Sequence, residues 1–65
     1  MFEISGIYAE KFSPDGSVIR LRKFFKIQLH TEHGVMNWLT EQKPFVEVEI
    51  CELYTKKDMT SYFLG

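Results

Sequence analysis

The stretch Ser13-Pro14-Asp15-Gly16-Ser17 separates two segments rich in β-branched and aromatic residues, "MFEISGIYAEKF" and "VIRLRKFFKIQL". Pro14 presets a turn and Asp15-Gly16 tolerates positive φ, so this stretch predicts the tip of a β-hairpin. The pairing follows from side-chain alternation. If Ser13 faces Val18, through a two-residue Asp15-Gly16 turn or a four-residue loop, Phe2, Ile4, Tyr8 and Phe12 share a face with Ile19, Leu21, Phe25, Ile27 and Leu29. The opposite face then carries Glu3, Ser5, Lys11, Arg20, Arg22, Lys26 and Gln28, together with Ile7, Ala9 and Phe24. A slip of one residue would set Phe2, Ile4 and Tyr8 beside the arginines, so the segregating register is the predicted one. Glu10 and Lys23 do not fit it, and are expected near a sheet edge.

After Leu29 the spacing changes. Thr31 is suited to cap a helix, and Val35, Trp38, Leu39 and Gln42 recur at helical intervals. Pro44 disfavours helix at Lys43, which predicts one short helix over residues 32–42 with Trp38 and Leu39 packed on the sheet. "FVEVEICELYT" (45–55) alternates Val46, Val48 and Ile50 with Glu47 and Glu49, as a third strand would, with a bulge expected at 50–53 where the alternation stumbles. "KKD" (56–58) is a turn candidate, and residues 59–65 are expected to form a fourth strand or a docked tail. A single helix between the second and third strands returns the chain across the sheet. The third strand should therefore run parallel to the second and lie beside the first.

The predicted fold is α+β: a small three- or four-stranded, mainly antiparallel sheet (ββαβ or ββαββ) with one short helix packed on one face. It forms a single domain over residues 1–65. A chain of this length buries only about 60% of its unfolded surface, so its stability is expected to be marginal. Staples are scarce, since Cys51 is the only cysteine. A lone thiol fits a reducing compartment, which predicts a cytoplasmic protein. The start "MFEISGIYAEK" lacks a basic segment followed by an apolar run, and no stretch approaches the ~18 apolar residues of a membrane span. Self-association or a protein partner is thus an expected stabiliser. The size and content fit an accessory protein of a bacterium or a phage.

Charge is unevenly placed. Residues 1–30 carry five basic and three acidic side chains, residues 31–65 three basic and six acidic. Such asymmetry marks either a polyanion site or charges that pair within the fold. On the face predicted to be free of the helix, Arg20, Arg22, Phe24 and Lys26 line up, with Ile7 and Lys11 on the neighbouring strand. Ile7, Ala9 and Phe24 form an apolar centre rimmed by cations, the composition of protein interfaces. These six residues, Ile7, Lys11, Arg20, Arg22, Phe24 and Lys26, are the predicted partner-binding set.

The same face also suits nucleic acid, with Phe24 as a stacking platform and the cations on phosphates. Substantial non-specific affinity takes about 6–10 phosphate contacts, however, and this face offers four cations. A solvated strand face is the plainest alternative. Arg20 and Arg22, about 7 Å apart, repel by only about 0.6 kcal/mol in water, and Glu47 and Glu49 project to the same side. Metal and catalytic chemistry find little support. His30, Glu32, His33 and Cys51 are the only candidate ligands, and the strand-to-helix change between the histidines spoils their spacing. Cys51 lacks an orienting partner for a nucleophilic dyad. Glu47 and Glu49 sit on an open strand with no cleft to separate their pKa values. The chain is therefore expected to be a non-enzymatic protein-binding module without cofactors: a small inhibitor, adaptor or regulator acting through an open sheet face or a strand edge.

Overall fold

Strand β1 (Phe2–Tyr8) has partners on both sides in the computed structural model, which describes residues 1–65. The chain continues through β2 (Lys11–Phe12), β3 (Val18–Arg20), β4 (Lys23–Leu29), α1 (Glu32–Gln42), β5 (Phe45–Glu52), β6 (Lys57–Asp58) and α2 (Thr60–Leu64). The four-stranded sheet has the order β4-β1-β5-β6, and β2-β3 form a separate ribbon. β1 is antiparallel to both neighbours, so β4 and β5 run the same way with α1 as the connection between them. This is the expected α+β arrangement.

The hairpin register is the predicted one along β1 and β4, from Phe2 opposite Leu29 to Tyr8 opposite Lys23. It slips at the tip, where Lys11 faces Arg20 but Phe12 faces Val18. The loop is Pro14–Gly16, three residues rather than two or four. Ser13 donates to Ser17 O at 2.8 Å, Gly16 donates to Ser13 O at 2.9 Å, and Gly16 takes φ +90°. A type I turn followed by a left-handed glycine is the standard three-residue hairpin loop, and its bulge shifts the pairing by one. Asp15 fastens this tip by accepting from the Ser17 amide at 2.9 Å and from the Ser13 hydroxyl.

Helix α1 has the predicted bounds. Thr31, with extended backbone, accepts from the Gly34 amide at 3.0 Å and so occupies one of the free donors of the first turn. Val35 and Leu39, one turn apart, enter the core and Trp38 packs beside them, whereas Met36 is about half exposed. The core comprises Phe2 and Ile4 from β1, Val35 and Leu39 from α1, and Ile50 from β5. Each fully buried aliphatic side chain contributes about 1.5–3 kcal/mol. Only Ile4, Val35 and Ile50 are fully buried, with Leu39 and Phe2 nearly so, and none of the five is redundant.

Three apolar residues expected under the helix are exposed instead: Phe12 at 53%, Ile19 at 58% and Leu21 at 64%. Length explains this. An 11-residue helix is about 16 Å long, whereas a hairpin leg from Phe2 to Ser13 spans about 40 Å. The ribbon β2-β3 therefore projects past the helix as an arm, and the molecule measures 43 × 20 × 19 Å.

Strand β5 pairs with β1 without a break from Glu52 to Glu47, so no bulge occurs at 50–53. The irregularity lies between Ile7 and Tyr8, where Glu47 and Phe45 are successive partners and Val46 is the extra residue. Phe45, rather than Val46, consequently turns inward to meet the Trp38 ring at a centroid distance of 5.6 Å, and Val46 stays 49% exposed. The larger ring has more surface to remove from water, which favours this phase. Just beside the bulge, β1 and β5 approach closely. A Cβ on Gly6 would lie 2.0 Å from the Glu47 carbonyl oxygen and 3.0 Å from Val48 Cα.

The chain end also departs from expectation. Residues 53–56 make the turn, Lys57–Asp58 supply the fourth strand, and residues 60–64 are a short helix. Glu52 braces the turn by accepting from the Tyr54 and Thr55 amides at 3.0 and 3.2 Å, and lies 3.8 Å from the terminal ammonium. Where β6 stops, Thr60 continues the ladder by side chain: Ile50 N donates to Thr60 Oγ1 at 2.9 Å. Phe63 then docks edge-on against Phe2 at 5.5 Å, and the Tyr62 hydroxyl donates to Glu32 at 3.0 Å, tying α2 to α1.

Two outcomes are expected. Gly6→Ala forces β1 and β5 apart and should cost at least as much as a core truncation, about 2–5 kcal/mol; a urea transition matching the wild type would show that the strands can shift freely. The second concerns acid. The Ser13 hydroxyl and Ser17 amide lower the Asp15 carboxyl to about 2, the Tyr54 amide lowers Glu52, and the Thr60 amide lowers Asp58. Carboxyls held below their unfolded values stabilise the fold above those values and release that stability as pH falls through the folded ones. The urea midpoint should thus hold steady above about pH 5 and decline toward about pH 2, and Glu52→Gln should shrink the decline. An equal midpoint at both ends of that range would contradict the assignment.

Candidate functional site

The face of the sheet turned away from α1 is uncovered. Cross-strand partners stand on the same face, so the pairing fixes its rows. Phe24, Ile7 and Glu47 form one row; Lys26, Ser5 and Glu49 the next; Gln28, Glu3, Cys51 and Asp58 the third. Phe24 is 83% exposed, beside a half-buried Ile7. Between the rows lies a shallow depression of about 320 Å³, floored by Ser5, Gly6 and Ile7 and walled by Phe24, Glu47 and Glu49.

The electrostatics of this face are the reverse of the expectation. Lys26 is its one cation, and its ammonium is 3.8 Å from Glu3, which also accepts from Gln28 at 3.3 Å. Against it stand Glu3, Glu47, Glu49 and Asp58. The Glu47 and Glu49 carboxylates make no hydrogen bond or ion pair in the chain. Asp58 accepts from the Thr60 amide at 2.9 Å, which lowers its carboxyl below the usual range.

Of the six predicted contact residues, the structure brings Ile7, Phe24 and Lys26 together and takes the other three elsewhere. Arg20 is the clearest correction. The strand pattern breaks at Ala9-Glu10 and Leu21-Arg22, and beyond this bend Arg20 faces the helix side. Its guanidinium lies 4.0 Å from the centre of the Tyr8 ring. Nη2 donates to the Pro44 carbonyl at 3.1 Å and Nη1 reaches Gln42 Oε1 at 3.4 Å, while Nε is buried without a partner. Pro44 O also accepts from the Ala9 amide at 3.2 Å, so one carbonyl holds both legs of the arm. Tyr8, Phe25, Trp38 and Phe45 pack as one aromatic group beneath the guanidinium, with Tyr8 and Phe25 centred 4.6 Å apart. The last turn of α1 holds no basic residue, and Arg20 brings positive charge to that end from another element. Arg20 is thus a structural clamp.

Arg22 lies in the bend, exposed, and Lys11 sits in the arm opposite Arg20. A second surface was not anticipated: an apolar cleft of about 250 Å³ between α1 and α2, lined by Met36, Leu39, Phe45, Phe63 and Leu64. The apolar triplet Tyr62-Phe63-Leu64 is the sequence signal that marks it. His30 and His33 flank the start of α1, and no three His, Cys, Asp or Glu side chains gather as a metal site would need. No helix is long and apolar enough to cross a membrane.

The two arginines should separate cleanly in unfolding experiments. Arg20→Ala removes a cation–π contact and charged hydrogen bonds and should cost about 2 kcal/mol, whereas Arg22→Ala should stay within about 0.5 kcal/mol of wild type. Equal effects would mean that Arg20 is not a clamp.

Comparison of the chain with protein-family models, with curated proteins and with solved structures finds no match.

Proposed function

We propose that this chain is a non-enzymatic protein-binding module, a small inhibitor, adaptor or regulator, that engages its partner through the open sheet face centred on Phe24 and Ile7. One observation carries the proposal: Phe24 stands 83% exposed near the start of β4, paired with Ile7 as a second apolar side chain, with no layer above it. Aromatic anchors ringed by polar groups are the residues that dominate binding energy in protein interfaces. The rim refines the partner's chemistry. Unpaired Glu47 and Glu49 favour a surface presenting lysine or arginine, and like-charge repulsion disfavours a polyanion. The nucleic-acid alternative retains only Lys26 on this face, and that ammonium is already beside Glu3. The lone free thiol of Cys51 fits a reducing compartment such as the cytoplasm.

Photo-crosslinking in cells of the native host tests this. A benzoylphenylalanine in place of Phe24 should yield a discrete protein adduct. The same group in place of Tyr54, 82% exposed in the turn after β5, should not. Adding Glu47→Lys and Glu49→Lys should abolish the adduct at position 24. Crosslinks to nucleic acid alone, or equal labelling from both positions, would overturn the proposal.

A further inference from the structure

We infer that the open face of one copy receives the β2-β3 arm of a second copy, and that the exchange is reciprocal about a two-fold axis. The inference rests on the preceding reading of the face as a docking surface, and names its occupant. The arm is an unusual thing for a small chain to hold out in water. Phe12, Val18, Ile19 and Leu21 are each more than half exposed on it, and nothing else in the chain covers them. Its charge is basic. Arg20 is committed to the clamp, Asp15 to the tip, and Lys23 to the main sheet with its ammonium 5.9 Å from the Tyr8 ring centre. This leaves Lys11 on the arm and Arg22 in the bend at its base against Glu10. Neither Lys11 nor Arg22 forms an ion pair; the chain's two ion pairs involve Met1 with Glu52 and Lys26 with Glu3.

The face has the complementary content. Phe24 and Ile7 offer an apolar centre, and Glu47 and Glu49 are free carboxylates at one side of it. The unpaired cations Lys11 and Arg22 and the unpaired carboxylates Glu47 and Glu49 therefore lie on two separate surfaces, one projecting and one shallow. Within a single copy they cannot meet, because the arm is held toward the helix side by the Pro44 carbonyl. Between two copies they can.

Dimensions favour reciprocity. Three rows of paired residues over three to four strands make a patch of roughly 20 × 15 Å. One arm on one face would bury about 600 Å² counted on both partners, below the range of stable interfaces, and two such contacts about 1,200 Å², at its lower edge. A closed two-fold exchange also leaves no unfilled face, whereas one-way docking would propagate into a filament.

Sedimentation of the purified chain over a concentration series tests this, with circular dichroism confirming that each variant is folded. The wild type should dimerise at micromolar concentration and weaken as salt is raised. Glu47→Lys with Glu49→Lys reverses the face; Lys11→Glu with Arg22→Glu reverses the arm. Each double variant alone should self-associate at least about tenfold more weakly, through like-charge repulsion. Their equimolar mixture should restore a dimer, because both of its arm–face contacts are then of opposite charge. A single chain carrying all four substitutions should recover self-association as well. A wild type that stays monomeric to about 100 µM, variants that dimerise as the wild type does, or a mixture without rescue would each overturn the inference. A monomeric purified chain that still crosslinks to another protein from position 24 would sink the dimer and leave the binding module standing.

Discussion

β1 is the one strand paired along its whole length on both edges, and its side-chain parity sorts the entire molecule. Phe2 and Ile4 point under the helix, so Leu29, Ile27, Ile50 and Val48 must follow. Glu3, Ser5 and Ile7 point the other way, and the open face inherits Phe24, Lys26, Glu47 and Glu49 by the same rule. Gly6 is the position at which this double pairing is tightest, since the Glu47 carbonyl occupies the space where any other residue would place its Cβ. A one-residue slip on either edge would turn a buried row out and bring carboxylates in. The register is consequently both the fold's main source of stability and the definition of its surface.

Arg20 shows how far that parity reaches. By counting alone it belongs with Lys26 and Phe24, and it would if the hairpin were straight. The bend at Ala9-Glu10 and Leu21-Arg22 ends the count, and the guanidinium finds the Tyr8 ring, Gln42 and Pro44 O on the helix side. Three partners in a half-buried site outweigh a solvated position on a strand face, where a cation gains almost nothing. With Arg20 drawn across the sheet, Arg22 in the bend and Lys11 in the arm, Lys26 is the one cation left on the open face.

Much of this was legible in the residues. The hairpin phase followed from the segregation of apolar from polar positions, and Thr31, the Val35–Leu39 spacing and Pro44 marked the helix closely. What escaped has identifiable causes. The exposed Phe12, Ile19 and Leu21 follow from comparing a helix of 11 residues with a hairpin of 28, a calculation open to the sequence. The bulge at Val46 was masked because Val46, Val48 and Ile50 alternate perfectly, and only the packing of Phe45 against Trp38 and Tyr8 breaks the tie. The bend and the Arg20 clamp depend on a carbonyl 24 positions away, and no local pattern announces such a contact. At the chain end, Thr60 mimics a strand residue through its hydroxyl, so the segment reads neither as strand nor as tail.

A chain with five buried residues has little stability to spare, yet it leaves Phe24, Ile19 and Leu21 in water and sets Glu47 and Glu49 on one strand face. The electrostatic side of this is minor, because carboxylates about 7 Å apart repel by only about 0.6 kcal/mol when solvated. The apolar side is larger. Each of these apolar side chains forgoes about 1.5–3 kcal/mol that burial would return; α1 is too short to reach Ile19 and Leu21, and Phe24 is on the opposite face from it. Selection for solubility alone would favour polar residues at Phe24 and Leu21, where no intramolecular contact requires anything else. Their apolar character fits the proposed covering surface. The placement of the free carboxylates Glu47 and Glu49 on the face, and of the free cations Lys11 and Arg22 on the arm and its base, describes what that surface should look like.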